Sequence, residues 1–193
     1  VSAAVLVCAL LLALGSLRLA LPGWRGWAGA ALVTAAAVAI NLFPPTEVDD
    51  TPYADYTVTP VALPGSHDAR AFFVNNSLAS LIDASEPPRY ARYIVHLRHI
   101  LLDELGLSGR EVLVLGAGGF TLSHREPLNR YTYVDIDPQI RQIAETRLLK
   151  GPIRGDFVVD DARRYVKHTD RCFDAVVVDV FSSHTSIPGH LVT

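Results

Sequence analysis

Apolar residues dominate the first 43 positions of the chain, and a mixed pattern of apolar and polar residues follows. Residues 1–20 are almost continuously apolar, and twenty residues at helical rise span the hydrocarbon core of a bilayer. Residues 27–43 form a second, Ala-rich apolar run. Trp24 and Arg25 lie between the two runs and are residue types that favour a membrane surface. The pattern predicts two transmembrane helices, at about 1–20 and 27–43.

The next segment of the chain is polar and then becomes rich in strand-forming residues. Residues 44–56 are acidic and contain prolines, which predicts a linker. Residues 57–63 alternate between apolar and polar positions, and residues 69–83 have the pattern of two short strands around Asn75 and Asn76. Asparagine tolerates the left-handed backbone of a tight hairpin turn, so we expect a small β-hairpin domain at 57–85.

Residues 86–193 change to a repeating order of strand, turn and helix. A helix is expected to open at Glu86 with two prolines in its first turn, and apolar residues then recur at helical spacing. Strands are predicted at 111–115, 131–135, 156–159 and 173–179, with helices at 138–149 and 161–168. This alternation predicts an α/β domain with a doubly wound parallel sheet. The apolar last strand is expected to be covered on both faces.

Composition and charge narrow the class of protein. The net charge is −3 and no run of Lys or Arg occurs, which argues against a nucleic-acid partner. Cys8 and Cys172 are far apart, and His96 and His99 have no cluster of acids or cysteines beside them, so no metal site is predicted. The chain contains no methionine and opens inside an apolar run, so we expect a fragment that also lacks the C-terminal part of the α/β domain.

Candidate ligand-binding residues follow the first two strands of the parallel sheet. Gly116, Gly118 and Gly119 come directly after 111–115, where glycines let a backbone approach a ligand and turn into a helix. Asp135 ends the second strand, 19 residues after Gly116. A carboxylate at that point accepts hydrogen bonds from both hydroxyls of a ribose.

Aspartates also end the third and fourth strands. Asp160 and Asp161 follow the third strand, where a carboxylate can accept a hydrogen bond from the exocyclic amine of adenine, and Asp179 ends the fourth. Ligands of such sheets bind at the carboxyl ends of the strands, so the ordered set predicts a site for an adenosine-type nucleotide. Structural roles remain open for two of the acids, because Asp137 and Asp160 could each cap the following helix. A nicotinamide dinucleotide is disfavoured, since its motif requires a third glycine where Thr121 stands.

Four segments resemble the spermidine synthase family, in particular its bacterial, membrane-fused members. They contain the glycine turn, the second-strand acid followed by Asp-Pro, the third-strand acids, and the fourth strand with its loop: residues 112–125, 131–140, 158–166 and 173–193. The resemblance covers about residues 57–193. It implies a fold like that of S-adenosylmethionine methyltransferases, and transfer of an aminopropyl group from decarboxylated S-adenosylmethionine to an amine. S-adenosylmethionine itself is the other co-substrate considered.

By the same resemblance, Asp135 matches the ribose-binding acid, Asp161 the adenine-binding acid and Asp179 the catalytic acid. The chain departs from the family where it has Gly119 and Ser182 in place of two acids and Ala79 in place of a glutamine. Of the family's Tyr-His-Glu segment, only the tyrosine has a match in this chain, Tyr90. Two readings therefore stay open beside aminopropyl transfer. One is a methyltransferase of the same fold, and the other is a membrane protein whose nucleotide domain only binds or regulates.

The expected location is a cell membrane, crossed more than once, with the catalytic domain in the cytoplasm. Arg18 and Arg25 near the loop between the apolar runs argue for the opposite orientation, but adenosyl donors are cytosolic. The expected partners are a small-molecule amine and the membrane, and self-association is left open.

Overall fold

The computed structural model describes residues 48–180, together with three isolated helical residues, Gly15, Ala28 and Ala31. The chain separates into two compact units, Val1–Glu47 and Val48–Thr193. Apart from those three residues, the expected transmembrane segments 1–20 and 27–43 lie outside the described residues. In the part of the chain that is described, no helix is both long and apolar enough to cross a membrane.

A small antiparallel sheet opens the second unit. Its five strands follow one another in chain order, β1 Val48–Asp50, β2 Asp55–Pro60, β3 Ala69–Val74, β4 Ser77–Asp83 and β5 Arg89–Tyr90. Asn75 and Asn76 have φ values of 49° and 62°, which is the left-handed backbone that the sequence suggested for the β3–β4 hairpin.

Two boundaries differ from those expected. The described part of the predicted linker, 48–56, contains β1 and the first residues of β2. The helix predicted to open at Glu86 begins instead at Arg92, because Arg89 and Tyr90 pair with the end of β4 as strand β5. Both differences come from pairing with the adjacent strand of the small sheet, which the preferences of single residues do not reveal.

A parallel sheet follows the first helix. Helix α1 spans Arg92–Arg98 and continues with π geometry over His99–Glu104. The sheet has the order β8-β7-β6-β9, with β6 Glu111–Leu115, β7 Arg130–Asp135, β8 Asp156–Val159 and β9 Ala175–Val178. Helix α2 spans Ile140–Ile143 and continues as a π-helix over Ala144–Leu148, and α3 spans Ala162–His168. The predicted α/β fold with a parallel sheet is confirmed.

Alternate residues of β6 face two different apolar layers. Val112 and Val114 pack in the main core, which includes residues of α1, α2 and the small sheet. Leu113 and Leu115 pack in a second cluster with residues of β7 and α3. This alternation arises because successive side chains of a strand point to opposite faces. Helices therefore cover both faces of the central strand, as the doubly wound prediction requires.

Two further expectations were wrong. No α-helix follows the glycine turn; Gly118–Phe120 form a single 3₁₀ turn, because Phe120 continues into a buried loop instead of a helix. Strand β9 is not covered on both faces, since Val176 and Val178 are exposed while Val177 is buried. The exposed residues alternate with the buried one, so one face of β9 has no described element packed against it.

Candidate active site

Backbone hydrogen bonds align the carboxyl ends of the four parallel strands. The amide of Gly116 donates to the carbonyl of Val134 over 2.8 Å, and the amide of Asp179 donates to the carbonyl of Leu115 over 2.7 Å. The amide of Asp160 donates to the carbonyl of Asp135 over 3.0 Å. The predicted site residues at 116, 135, 160 and 179 therefore lie along one edge of the sheet.

The glycine turn is pressed against Asp179. Gly116 has φ 91°, and a Cβ at that position would lie 2.8 Å from the carbonyl carbon of Asp179. Gly118 has φ 51°, and a Cβ there would collide with Oδ2 of the Asp179 carboxyl. Glycine is thus required at both positions by backbone angle and by space. The turn leaves room for the Asp179 side chain at the end of β6.

Asp179 combines its strand-end position with strongly perturbed acid–base behaviour. Burial raises the pKa of its carboxyl to about 7, and the charge of Asp135 acts in the same direction. A hydrogen bond from Tyr93, whose hydroxyl lies 3.4 Å from Oδ2, opposes these two effects on the pKa. A carboxyl with such a pKa exchanges its proton near neutral pH, which is the property of a general base.

Tyr93 is a site residue that the sequence did not reveal. Its helical spacing assigned it to the apolar face of α1, and the family's tyrosine was matched to Tyr90. The hydroxyl of Tyr90 instead bonds Nδ1 of His124 at 2.9 Å. The Tyr93 hydroxyl shares its single proton between two acceptors, the carbonyl of Ala79 at 2.7 Å and Oδ2 of Asp179 at 3.4 Å. Burial, then the charge of Asp179, raises the pKa of Tyr93, so the phenol stays protonated.

Asp135 is held by two backbone amides. Its Oδ2 accepts from the amide of Ala117 over 2.9 Å, and its Oδ1 accepts from the amide of Asp137 over 3.0 Å. Burial raises the pKa of Asp135, while these bonds oppose the rise. Because each carboxylate oxygen has two lone pairs, both oxygens keep the capacity to accept from ribose hydroxyls.

The third-strand acids have existing partners. Asp161 is the N-cap of α3, where its Oδ1 accepts from the amide of Arg164 over 2.8 Å. Asp160 forms an ion pair with the guanidinium of Arg164. The sequence allowed a capping role for Asp160, and the structure gives that role to Asp161. Asp137 is not the N-cap of α2, although its Oδ1 accepts from the amide of Gln139 over 2.9 Å.

Gly119 faces the small sheet. A Cβ at this position would lie 2.7 Å from Cδ2 of Leu148, 3.2 Å from Cβ of Ser80 and 3.3 Å from Cδ1 of Phe72. Its φ of 77° also disfavours any side chain. This backbone therefore has no room for the acid that the family carries at the matching position. Gly119 supports packing between the two sheets, whereas Gly116 and Gly118 contact Asp179.

His99 does not join the strand-end residues. His99 bonds Asp103 over 2.8 Å on the exposed side of its helix. Within residues 48–180, no group of three or more His, Cys, Asp or Glu residues could hold a metal ion. Ser182 lies outside the described residues. The edge formed by the strand ends is acidic, because it carries several aspartates and its arginine, Arg164, is paired with Asp160.

Comparison with known proteins supports the fold only. No protein-family model matches the sequence, and neither does any curated protein. Among solved structures, the chain is similar to a probable spermidine synthase from Corynebacterium glutamicum, with a TM-score of 0.59 and 16% sequence identity. The similarity covers 75% of this chain and 55% of the Corynebacterium chain, so the described fold corresponds to about half of that protein.

Proposed function

We propose that this chain is the donor-binding part of a spermidine-synthase-like transferase that moves an aminopropyl group from decarboxylated S-adenosylmethionine to a small amine. The observation that carries the proposal is the partly buried Asp179. Its pKa is raised to about 7, and it stands against Gly118 and within 3.4 Å of the Tyr93 hydroxyl. The fold, which is similar to that of a probable spermidine synthase, is compatible with this proposal.

Donor binding is assigned to the other strand ends. In this proposal Asp135 accepts from the ribose hydroxyls, Asp161 accepts from the adenine amine, and the turn at Gly116 and Gly118 contacts the nucleoside. A phosphate-containing cofactor fits less well, because the strand-end edge is acidic and only a 3₁₀ turn follows the glycines. A sulfonium nucleoside carries positive charge and suits that edge.

The chemistry assigned to Asp179 is proton removal. The acceptor amine is an ammonium ion at neutral pH and has no free lone pair until it loses a proton to the Asp179 carboxylate. Its nitrogen then attacks the carbon beside the sulfonium, a C–N bond forms and the C–S bond breaks. The electrons of the broken bond return to sulfur, so neutral methylthioadenosine leaves and the new secondary amine keeps the positive charge.

A methyltransferase is the second candidate, and Gly119 favours it. The resemblance implies that an acid at this position grips the aminopropyl end of the donor, and here the backbone has no room for a side chain. Without that acid, discrimination in favour of decarboxylated S-adenosylmethionine weakens, and S-adenosylmethionine becomes a competing donor. A purely binding or regulatory domain is the third candidate, in which neither donor turns over.

Membrane attachment with a cytoplasmic catalytic domain belongs to the same proposal, and it rests on the apolar runs 1–20 and 27–43. Ser108 is exposed and serves as a labelling site. In cells carrying Ser108→Cys, an impermeant thiol reagent applied from outside should leave this position unlabelled. Cys172 is also exposed and must first be replaced. Labelling of intact cells at position 108 would reverse the proposed orientation.

The enzymatic proposal is tested by a matched pair of variants at the two residues that flank β9. Product formation is measured from decarboxylated S-adenosylmethionine, and from S-adenosylmethionine, with a panel of amines. Asp179→Asn should keep nucleoside affinity but lower turnover by roughly 10²- to 10⁴-fold. Asp174→Asn is the control, because Asp174 lies just before the opposite end of the same strand and accepts from the amide of Glu111 over 2.9 Å. Equal rates in wild type and Asp179→Asn would remove Asp179 from the mechanism.

A further inference from the structure

A short hydrogen bond links the small sheet to the loop that follows Asp135. The hydroxyl of Thr51, in the turn between β1 and β2, lies 2.6 Å from Oδ2 of Asp137. Both residues are buried, with exposed fractions of 8% for Thr51 and 0% for Asp137. The same hydroxyl lies 3.0 Å from the carbonyl of Ala54, but a carboxylate is the stronger acceptor and the nearer one.

The turn that carries Thr51 is held by its own hydrogen bonds. The Thr51 hydroxyl oxygen accepts from the amides of Tyr53 and Ala54 over 3.2 and 3.1 Å. A second contact fixes the same region, because Asp49 of β1 pairs with Arg147 of the π-helical segment over 3.0 Å. The β1–β2 turn is therefore anchored at two points on the segment that begins two residues after Asp135.

Asp137 transmits this anchoring to the ribose-binding acid assigned above. Its side chain is fixed by Thr51 and by the amide of Gln139, and its own amide donates to Oδ1 of Asp135 over 3.0 Å. Burial raises the pKa of Tyr56, and a hydrogen bond to Asp137 adds to the rise, so this phenol stays protonated beside the buried carboxylate. The residue whose side chain these partners hold is thus the one whose backbone amide donates to Asp135.

From this chain of contacts we infer that Thr51 is a positioning residue for the nucleoside, acting on the ribose through Asp137 and Asp135. The inference rests on the proposed assignment of Asp135 to the ribose. Under this inference the small sheet contributes to donor binding, although it precedes the parallel sheet in the chain. The segment around Thr51 was expected to be a linker, so the sequence offered no signal for this role.

The test measures binding of methylthioadenosine and of its 2′,3′-dideoxy analogue to the full chain by titration calorimetry. Thr51→Val keeps the size of the side chain and removes the hydroxyl. It should weaken binding of methylthioadenosine by roughly 2- to 30-fold, the range found for residues that act on a site without touching the ligand. Binding of the dideoxy analogue should change little, because that analogue has no hydroxyls for Asp135 to accept from. Thr51→Ser should restore wild-type affinity.

Ser66→Ala is the matched control. The Ser66 hydroxyl also donates over 2.6 Å to a fully buried carboxylate, that of Asp83, which belongs to the small sheet and has its own partners in Ser85 and Arg89. Its loss should lower the melting temperature and leave both affinities unchanged. If Thr51→Val does not fold, Asp137→Asn tests the same link, and the same selective loss for methylthioadenosine is expected.

The outcomes separate the inference from the proposed function. Failure of the wild type to bind methylthioadenosine would overturn the assignment of Asp135 to a ribose. Wild-type binding with unchanged affinity in Thr51→Val would overturn only the role of Thr51. Equal losses for the two nucleosides, or the same loss in Ser66→Ala, would also overturn that role, because Thr51 would then act on stability alone.

Discussion

Asp161 and Asp179 follow β8 and β9, the two opposite edge strands of the described parallel sheet, and their surroundings differ. Asp161 caps α3 through the amide of Arg164, and its neighbour Asp160 pairs with the Arg164 guanidinium. Asp179 faces the glycine turn and a tyrosine hydroxyl, and burial raises its pKa to about 7. The same residue type thus caps a helix at one edge of the sheet and provides an exchangeable proton site at the other. Both residues lie at the carboxyl end of a strand, and their different chemical properties come from the residues that contact them.

Gly118→Ala should produce the largest effect on turnover, because it displaces the carboxyl of Asp179. The new Cβ would collide with Oδ2 of Asp179, and the φ of 51° adds strain. A misplacement of about 1 Å in a reacting group can cost about 10²-fold in rate. We expect turnover to fall by about that factor while the affinity for methylthioadenosine changes less. Steady-state kinetics with parallel calorimetry measure both quantities, and an unchanged rate would show that the turn does not govern Asp179.

Asp135→Ala should produce the next largest effect, a loss of affinity for the nucleoside. Removing a charged hydrogen-bonding partner typically costs about 1.5–3 kcal/mol, or roughly 10- to 150-fold in affinity. Calorimetry with methylthioadenosine measures the loss. The variant also frees the amides of Ala117 and Asp137, so a melting curve must accompany the titration. Full affinity in a folded variant would contradict the ribose assignment.

Tyr93→Phe should have a smaller effect that is specific to pH dependence. The tyrosine bond lowers the pKa of Asp179, so its loss should move the midpoint of the pH–rate profile upward. Loss of the bond to the carbonyl of Ala79 should also cost about 1 kcal/mol of stability. Tyr90→Phe is the control, because its hydroxyl bonds His124 instead. A profile that shifts equally in the two variants would remove Tyr93 from the site.

Asp160→Asn should have the smallest effect. Its ion pair with Arg164 joins residues four apart at the surface, where such pairs contribute roughly 0.3–0.5 kcal/mol. We expect a melting temperature close to that of the wild type and nucleoside affinity within about twofold of it. A large loss of affinity would mean that Asp160, and not its neighbour Asp161, contacts the adenine. The comparison of Asp161 with Asp179 would then need revision.

The parts of the fold that follow from local pattern were predicted best. Strands β6 and β8 occupy the predicted residues, because each is a short apolar run between turn residues. The role of Tyr93 could not be predicted, since it depends on Ala79 and Asp179, which are 14 and 86 positions away in sequence. Thr51 was missed for the same reason, because its partner Asp137 is 86 positions away. Strand-end aspartates can be identified from sequence, whereas the residues that tune them depend on tertiary packing.

The raised pKa of Asp179 also predicts a sign for stability. A carboxyl whose pKa is higher in the folded state binds more protons there than in the unfolded chain, so its ionisation lowers stability as pH rises from about 4 to about 7. Asp179→Asn should remove this contribution. Urea unfolding of both proteins at pH 5 and pH 8 measures it, and the wild type should lose more stability between these two values than the variant.

The most direct test of the account is the titration of Asp179 itself. Carbon-13 NMR of aspartate-labelled protein, with Asp179→Asn used to assign the carboxyl signal, gives the midpoint without requiring any turnover. The account predicts a midpoint near 7, as the burial of this carboxyl requires. A midpoint near 4, the ordinary value for an exposed aspartate, would contradict the assignment of Asp179 as the proton acceptor.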